Sequence, residues 1–232
     1  MSNSPLVNYT KLSPNFTPRE DTVKKITIHH VAGKITVEAL GDIFFPAKRK
    51  GSSNYGIGYD GRIGMYVEEK NRAWTSGSPE NDHQAITIEV SNSGGAPDWK
   101  VSENVLNKLV DLCVDICKRN GIAKLNYTGD KTGNLTRHNM FMATACPGPY
   151  LQSKFPWIAE QVNKRLNVAP SNQFLVKITA DLLNIRKSAS IWSLVSGKVK
   201  KNEVYTIIEV KGDWGRLKSG AGWINLKYTK RV

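Results

Sequence analysis

The alternation of β-branched with other residues marks the first clear element. Lys25, Ile26, Thr27, Ile28 and His29 follow a period of two and end on the pair His29–His30, which predicts a strand presenting an imidazole at its tip. Thr36 to Phe45 reads as a short helix with Thr36 as its cap, and the basic, glycine-containing stretch Lys48 to Ser53 as a loop. Tyr55 to Tyr59 and Arg62 to Val67 flank Asp60-Gly61, a two-residue hairpin signal, so two strands are expected there. Ala85 to Val90 repeats the strand pattern and puts Glu89 near its end. Apolar Val105, Leu109, Leu112, Val114 and Ile116 then predict a helix opened by Ser102 and closed at Gly121. After a polar loop from Leu125 to Leu135, a last helix is expected over Phe155 to Leu166.

Beyond this point the pattern changes. Asn167 to Gln173 is polar, contains proline and reads as a linker. Phe174 to Ala180, Leu183 to Arg186, Glu203 to Val210, Gly215 to Leu217 and Gly222 to Asn225 are short strand candidates separated by turn residues, as in a small barrel. The expected organisation is therefore an α/β domain over 1–166 with a mixed central sheet flanked by helices, a linker over 167–173, and a small all-β module over 174–232.

Charge sharpens this division. The 232 residues carry 33 Lys+Arg against 20 Asp+Glu, a formal +13, and the excess is concentrated in the tail. From Pro170 onward there are 12 basic and 4 acidic residues, a net +8, against +5 for everything before it. The tail thus has the character of an anchor for an anionic surface. Nucleic acid is the rival partner, but no helix-turn-helix, RNP motif or zinc-finger spacing accompanies the charge. No run of 18 apolar residues could span a bilayer, and the N-terminal segment lacks a basic, then apolar, secretory pattern, so no membrane insertion is expected and synthesis is expected in the cytoplasm without a signal peptide. Three cysteines make no disulfide framework. Cys113 and Cys117, one helical turn apart, read as buried small apolar residues, with a redox pair as the alternative.

The four histidines are His29, His30, His83 and His138. Cys146 lies eight positions after His138 and directly before a Pro-Gly turn that can aim its sulfur. Two histidines and one cysteine would leave the fourth tetrahedral position open, as in catalytic rather than structural zinc. Spacing alone leaves this weak, because neither CxxC nor HExxH occurs.

The residues themselves carry more. Ile26-Thr27-Ile28-His29-His30, the strand Ala85 to Val90, Arg137-His138-Asn139 and Thr144-Ala145-Cys146-Pro147-Gly148 together resemble the zinc amidase family of phage lysozymes, bacterial amidases and peptidoglycan recognition proteins, in the family's order over nearly all of residues 20–166. The resemblance implies Zn2+ held by His29, His138 and Cys146, Glu89 as the acid/base carboxylate, and Thr144 as a donor to the developing oxyanion. For Glu89 the bland alternative is an exposed strand-end carboxylate. His30 is either a groove residue or a partly buried imidazole, and His83 reads as a solvated loop residue. Trp74 flanks the family's cleft, and both substrate contact and core packing remain open for it; Trp99 is likewise undecided. Where phage lysozymes of the family carry a tyrosine before the hairpin, this chain has Ser53, which shifts the expected acid/base work to Glu89 and leaves Tyr55 as a candidate for lining the groove.

The tail has its own resemblance. Leu183-Asn184-Ile185-Arg186, Trp214-Gly215-Arg216-Leu217 and Gly222-Trp223-Ile224 are similar to bacterial SH3 domains over roughly residues 172–232, which implies binding to a wall peptide or anionic wall polymer. Of Trp192, Trp214 and Trp223, at least one is expected in the barrel core. The implied activity is cleavage of the amide between N-acetylmuramic acid and L-alanine in bacterial peptidoglycan, in a phage endolysin or, second, a host autolysin. The alternatives are a zinc peptidase cutting within the stem peptide and a non-catalytic peptidoglycan-recognition protein.

Overall fold

The computed structural model describes residues 2–167 and 174–232. The chain divides into two compact units, Met1–Asn167 and Val168–Val232. Apart from Asn167, the expected linker at 167–173 lies outside the described residues.

The first unit is built on a six-stranded mixed sheet. Its strands are β1 (Tyr9–Thr10), β3 (Lys25–His30), β4 (Tyr55–Ile57), β5 (Ile63–Met65), β7 (Ala85–Val90) and β8 (Leu135–Arg137), in the order β1-β5-β4-β7-β3-β8. Only the β4–β5 pair is antiparallel; it is the hairpin expected around Asp60-Gly61, where Gly61 takes φ 85°. A separate two-stranded ribbon joins β2 (Phe16–Pro18) to β6 (Asn71–Ala73). Neither strand of this ribbon was foreseen, since three mixed residues show no period.

Four helices flank the sheet: α1 (Val37–Phe44), α2 (Pro79–Gln84), α3 (Glu103–Arg119) and α4 (Pro149–Asn167). Thr36 caps α1 as expected, its hydroxyl accepting from Ala39 N at 3.2 Å. Ser102 does the same for α3, and Gly121, at φ 70°, ends that helix in the left-handed conformation while Ile122 N reaches back to Cys117 O at 2.9 Å. The last helix starts six residues earlier than expected. Pro149 occupies its first turn, where proline costs nothing; Pro156, which mimics a helix start in the sequence, instead lies inside the helix and leaves the carbonyl of Gln152 without an amide partner.

Leu151, Phe155, Ile158, Ala159 and Val162 form the buried stripe of α4. They meet Val105, Leu109, Leu112 and Ile116 of α3 and the apolar face of the sheet in one core. Each fully buried aliphatic side chain there contributes about 1.5–3 kcal/mol. Cys113 and Cys117 belong to this core as free thiols, and burial raises both pKa values. On the other side, Leu40 and Phe44 of α1 pack with Tyr66. Gly56 is required there: a Cβ on it would sit 2.8 Å from Leu40 and 2.9 Å from Tyr66.

The second unit is all-β: β9 (Phe174–Ile178), β10 (Leu182–Arg186), β11 (Val195–Lys200), β12 (Val204–Lys211), β13 (Trp214–Leu217), β14 (Trp223–Asn225) and β15 (Thr229–Arg231). They form one antiparallel sheet ordered β11-β10-β14-β13-β12-β9-β15, with register shifts at Ile185/Arg186 and Ile207/Glu209. The five expected strands are present with shifted ends. β11 and β15 were missed because lysine, glycine and arginine dilute their alternation. Val176, Ile178, Leu183, Ile185, Val199, Ile207, Leu217 and Ile224 make a separate apolar core. Among the described residues no helix is long and apolar enough to cross a membrane.

One buried polar cluster ties the first unit together. Glu69, fully buried, faces Arg119 at the end of α3 in a two-pronged pair of 2.5 and 2.9 Å, and also accepts from Tyr55 Oη at 2.7 Å and Asn120 Nδ2 at 3.2 Å. Ser4 N and Asn3 close over the same cluster. Removing one member strands the other's charge, so Glu69→Ala is expected to destabilise the first unit by about 3–5 kcal/mol in urea unfolding. A loss below about 1 kcal/mol would mean that the cluster does not anchor α3.

Candidate active site

The site begins with the pleat of the sheet. β3 and β7 run parallel in register, pairing Ile26 with Ile86, Thr27 with Thr87, Ile28 with Ile88 and His29 with Glu89. Because side chains alternate between faces, the isoleucines join the α3–α4 core with Tyr55 and Ile57 of β4, and the threonines, His29 and Glu89 share the opposite face. That second face is polar and mostly hydrogen-bonded, with Asn81 Oδ1 left buried without a partner. Thr27 and Thr136 hydroxyls lie 2.8 Å apart, Asn81 Nδ2 donates to Thr27 at 2.9 Å, and Asn54 and Thr87 exchange hydrogen bonds of 3.1 Å.

At the C-terminal ends of these strands the satisfaction stops. His29 from β3, His138 immediately after β8, and Cys146 bring one ligand atom each within 4.8 Å of the others. The two imidazole rings are tilted at a centroid separation of 4.6 Å, and Nε2 of each is buried without a hydrogen-bond partner. Cys146 is aimed by its surroundings: His30 N donates to its sulfur at 3.3 Å, and Cys146 N donates to Thr144 Oγ1 at 3.2 Å. Burial lowers the pKa of His29, where the neighbouring His138 and His30 add to the effect, and of His138, so both rings are neutral near pH 7. Burial, with Glu89 nearby, raises that of the Cys146 thiol. Neutral imidazoles with orphaned nitrogens beside a thiol fit a cation that takes nitrogen and sulfur ligands, and its binding would release the thiol proton.

Glu89 stands beside this cluster. Its Oε2 is buried and unpartnered, and burial pushes its pKa up to about 8, with Arg49 pulling weakly the other way. Such a carboxyl exchanges a proton near neutrality, as a general acid/base must. Glu89 and His138 open onto a cleft of about 550 Å³, which Trp74 also lines.

The remaining expected residues fall in different places. Trp74 is on the cleft, half-buried, with its Nε1 unpaired. Thr144 braces Cys146. The His30 side chain is turned from the cleft to the other sheet face, edge-on to Trp99 at 5.5 Å and close against Gly148; Trp99 is thereby a packing residue. Tyr55 does not line the groove: pleat parity puts it in the core, with its hydroxyl spent on Glu69. Ser53 is buried, and its hydroxyl lies 2.9 Å from the carbonyls of Tyr55 and Thr87, so it does not take over the tyrosine's work. His83, expected on a loop, is in α2, where its Nδ1 accepts from Glu20 N at 3.1 Å.

Sequence reasoning missed Asp82, Arg49, Lys50 and Arg72, all on the cleft. Asp82 is buried and accepts from Thr75 N, Ser76 N and Ser76 Oγ. Its signal was the helix start Ser78-Pro79, with Ser78 capping α2 through Asn81 N at 3.3 Å, which places an acidic residue in the first turn.

No curated protein sequence matches the chain. In fold it is similar to the solved catalytic domain of PlyG (TM-score 0.55, 18% identity, covering 71% of this chain and 97% of that one). It is also similar to the Staphylococcus aureus hydrolase AmiA in complex with its ligand (0.54, 16%, 72% and 85%) and to a mutant endolysin from Bacillus subtilis (0.53, 16%, 67% and 99%). At sequence level the N-acetylmuramoyl-L-alanine amidase family matches residues 19–149, the span that carries β3, β7, Glu89 and all three ligand candidates. The chain belongs to the N-acetylmuramoyl-L-alanine amidase family, whose members act on peptidoglycan.

Proposed function

We propose that this chain is a zinc-dependent hydrolase of the amide between the lactyl group of N-acetylmuramic acid and L-alanine of the stem peptide, working as a phage endolysin. The observation that carries the reading is the convergence of His29, His138 and Cys146 within 4.8 Å, beside a buried and unpaired Glu89 oxygen. His29, His138 and Cys146 would hold the zinc, which would supply Lewis-acid chemistry able to polarise a scissile carbonyl and make water nucleophilic at neutral pH.

The chain's own groups complete the chemistry. Glu89 Oε2, without a competing partner, takes the proton of the attacking water and returns it to the leaving L-alanine nitrogen. The Thr144 hydroxyl receives the Cys146 amide, so its own proton is available to the oxyanion that develops as the carbonyl becomes tetrahedral. Trp74 offers an indole face to the glycan or peptide. A zinc peptidase would use the same groups and differs only in the bond presented to them. A purely recognising protein would have no use for a desolvated Glu89 beside a thiol and two imidazoles.

The second unit is proposed as an SH3-like wall-binding module. Its net +8 favours anionic wall polymers. Its three tryptophans take different roles: Trp223 is buried in the sheet under Lys211, Trp214 is half-buried in a groove of about 400 Å³, and Trp192 is 92% exposed on the β10–β11 connection. An indole so exposed is available to a wall ligand.

Four outcomes are expected. Digestion of purified Gram-positive peptidoglycan should yield new N-terminal L-alanine, lost with chelator and restored by zinc; a different new terminus would make the enzyme a peptidase. Cys146→Ser should lose both zinc and lysis while still sedimenting with walls, and Glu89→Gln should lower kcat by about 10²–10⁴ with zinc content unchanged. Full lysis by Cys146→Ser would sink the metal assignment. Trp192→Ala should weaken wall sedimentation and leave the rate on soluble muropeptide intact; unchanged sedimentation would remove Trp192 from the binding surface.

A further inference from the structure

One wall of the cleft is rich in hydrogen-bond donors that face no protein carboxylate. Arg49 and Lys50 follow α1, and Arg72 and Trp74 lie on and just after β6. Guanidinium, ammonium and indole N–H groups donate and do not accept. Among the described residues none of the three cations pairs with a carboxylate, and the Trp74 Nε1 is buried without a partner. Only Arg72 has a side-chain bond, from its Nε to Thr17 Oγ1 at 2.9 Å.

The two nearby carboxylates do not fill this role. Asp82 is turned inward onto Thr75 and Ser76, and Glu89 faces the histidine cluster.

The donor wall is also held in shape. Ser52 N donates to Trp74 O at 3.0 Å, Trp74 N donates to Ser52 Oγ at 3.1 Å, and Thr75 Oγ1 donates to Ser52 O at 2.6 Å, stitching the basic loop to the tryptophan segment. Lys50 is kept at φ 50°, a left-handed conformation that a lysine adopts only when its surroundings impose it.

We infer that Arg49, Lys50, Arg72 and Trp74 form a specificity subsite for a free carboxylate on the stem peptide, so that the enzyme prefers stems whose second residue, next to the scissile L-alanine, carries an unamidated carboxylate. This rests on the amidase reading and adds which substrate form the same cleft selects. A carboxylate supplies the acceptor lone pairs that the wall lacks, whereas the amide form brings donors of its own and no charge. The cations share one cleft of about 550 Å³ with Glu89 and His138, so the acceptor they meet lies close to the cut.

The test uses the full chain with zinc on two soluble muropeptides identical except for amidation of the second stem residue, following release of N-terminal L-alanine. The free-carboxylate form should be favoured about three- to tenfold in kcat/KM, as exposed ion pairs allow, and the preference should shrink with added salt. In Lys50→Gln/Arg72→Gln, which leaves Arg49 and its pull on Glu89 in place, the preference should shrink through a higher KM on the free-carboxylate substrate with kcat retained, while Lys124→Gln, outside the cleft, keeps it. Equal rates on the two forms, or a double variant that keeps the preference, would overturn the subsite and leave the amidase reading standing. So would a preference set only by phosphate on the glycan, read with polymer-bearing and polymer-stripped walls. No L-alanine from either muropeptide would instead sink the amidase reading itself.

Discussion

The site depends on the register of β3 against β7. With Ile26 opposite Ile86 and His29 opposite Glu89, a single pleat sends four isoleucines into the α3–α4 core and sends the metal-ligand candidate and the acid/base candidate to the other face. A slip of one residue would exchange the faces, turning His29 and Glu89 into the apolar core and the isoleucines into the hydrogen-bonded polar layer. The burial that stabilises the fold therefore also fixes the chemistry: the core's preference for Ile over Thr, His and Glu specifies where the reactive side chains stand.

The same arrangement accounts for the electrostatics. The threonine, asparagine and serine layer beneath the site is internally hydrogen-bonded, so it gives the site few spare donors. His29 Nε2, His138 Nε2 and Glu89 Oε2 are unsatisfied on the cleft side of the strand ends, as is His30 Nδ1 on the other face. A desolvated carboxyl holds its proton more tightly and desolvated imidazoles hold theirs less tightly, which is the direction each needs for its role. The site is thus prepared by what the surrounding structure withholds as much as by what it supplies.

Much of this was legible in the sequence, for identifiable reasons. The two Ile-Thr-Ile strands, the Thr36 and Ser102 caps and Gly121 rest on short-range rules that tertiary packing reinforces. The ligand set was only weakly legible without the resemblance, since His29 is more than a hundred residues from His138 and Cys146 and no CxxC or HExxH spacing links them. Tyr55 was misplaced because it stands two residues after Ser53, where the resembled family carries its groove tyrosine; pleat parity with Ile88 decides it instead. α2 and the cationic wall were missed for a different reason. A six-residue helix has too little period to read, and Arg49, Lys50 and Arg72 become neighbours of Glu89 only after a loop and a ribbon fold back over the strand ends.

Each unit has its own apolar core, one drawn wholly from residues before 167 and the other from residues after 173. This has an evolutionary consequence. A genetic crossover at the boundary would split neither core, so either half can be inherited with a different companion. Selection on the first half can then proceed separately from selection on the second, and a lineage can exchange the half outside the amidase-family match without repacking the half that carries it.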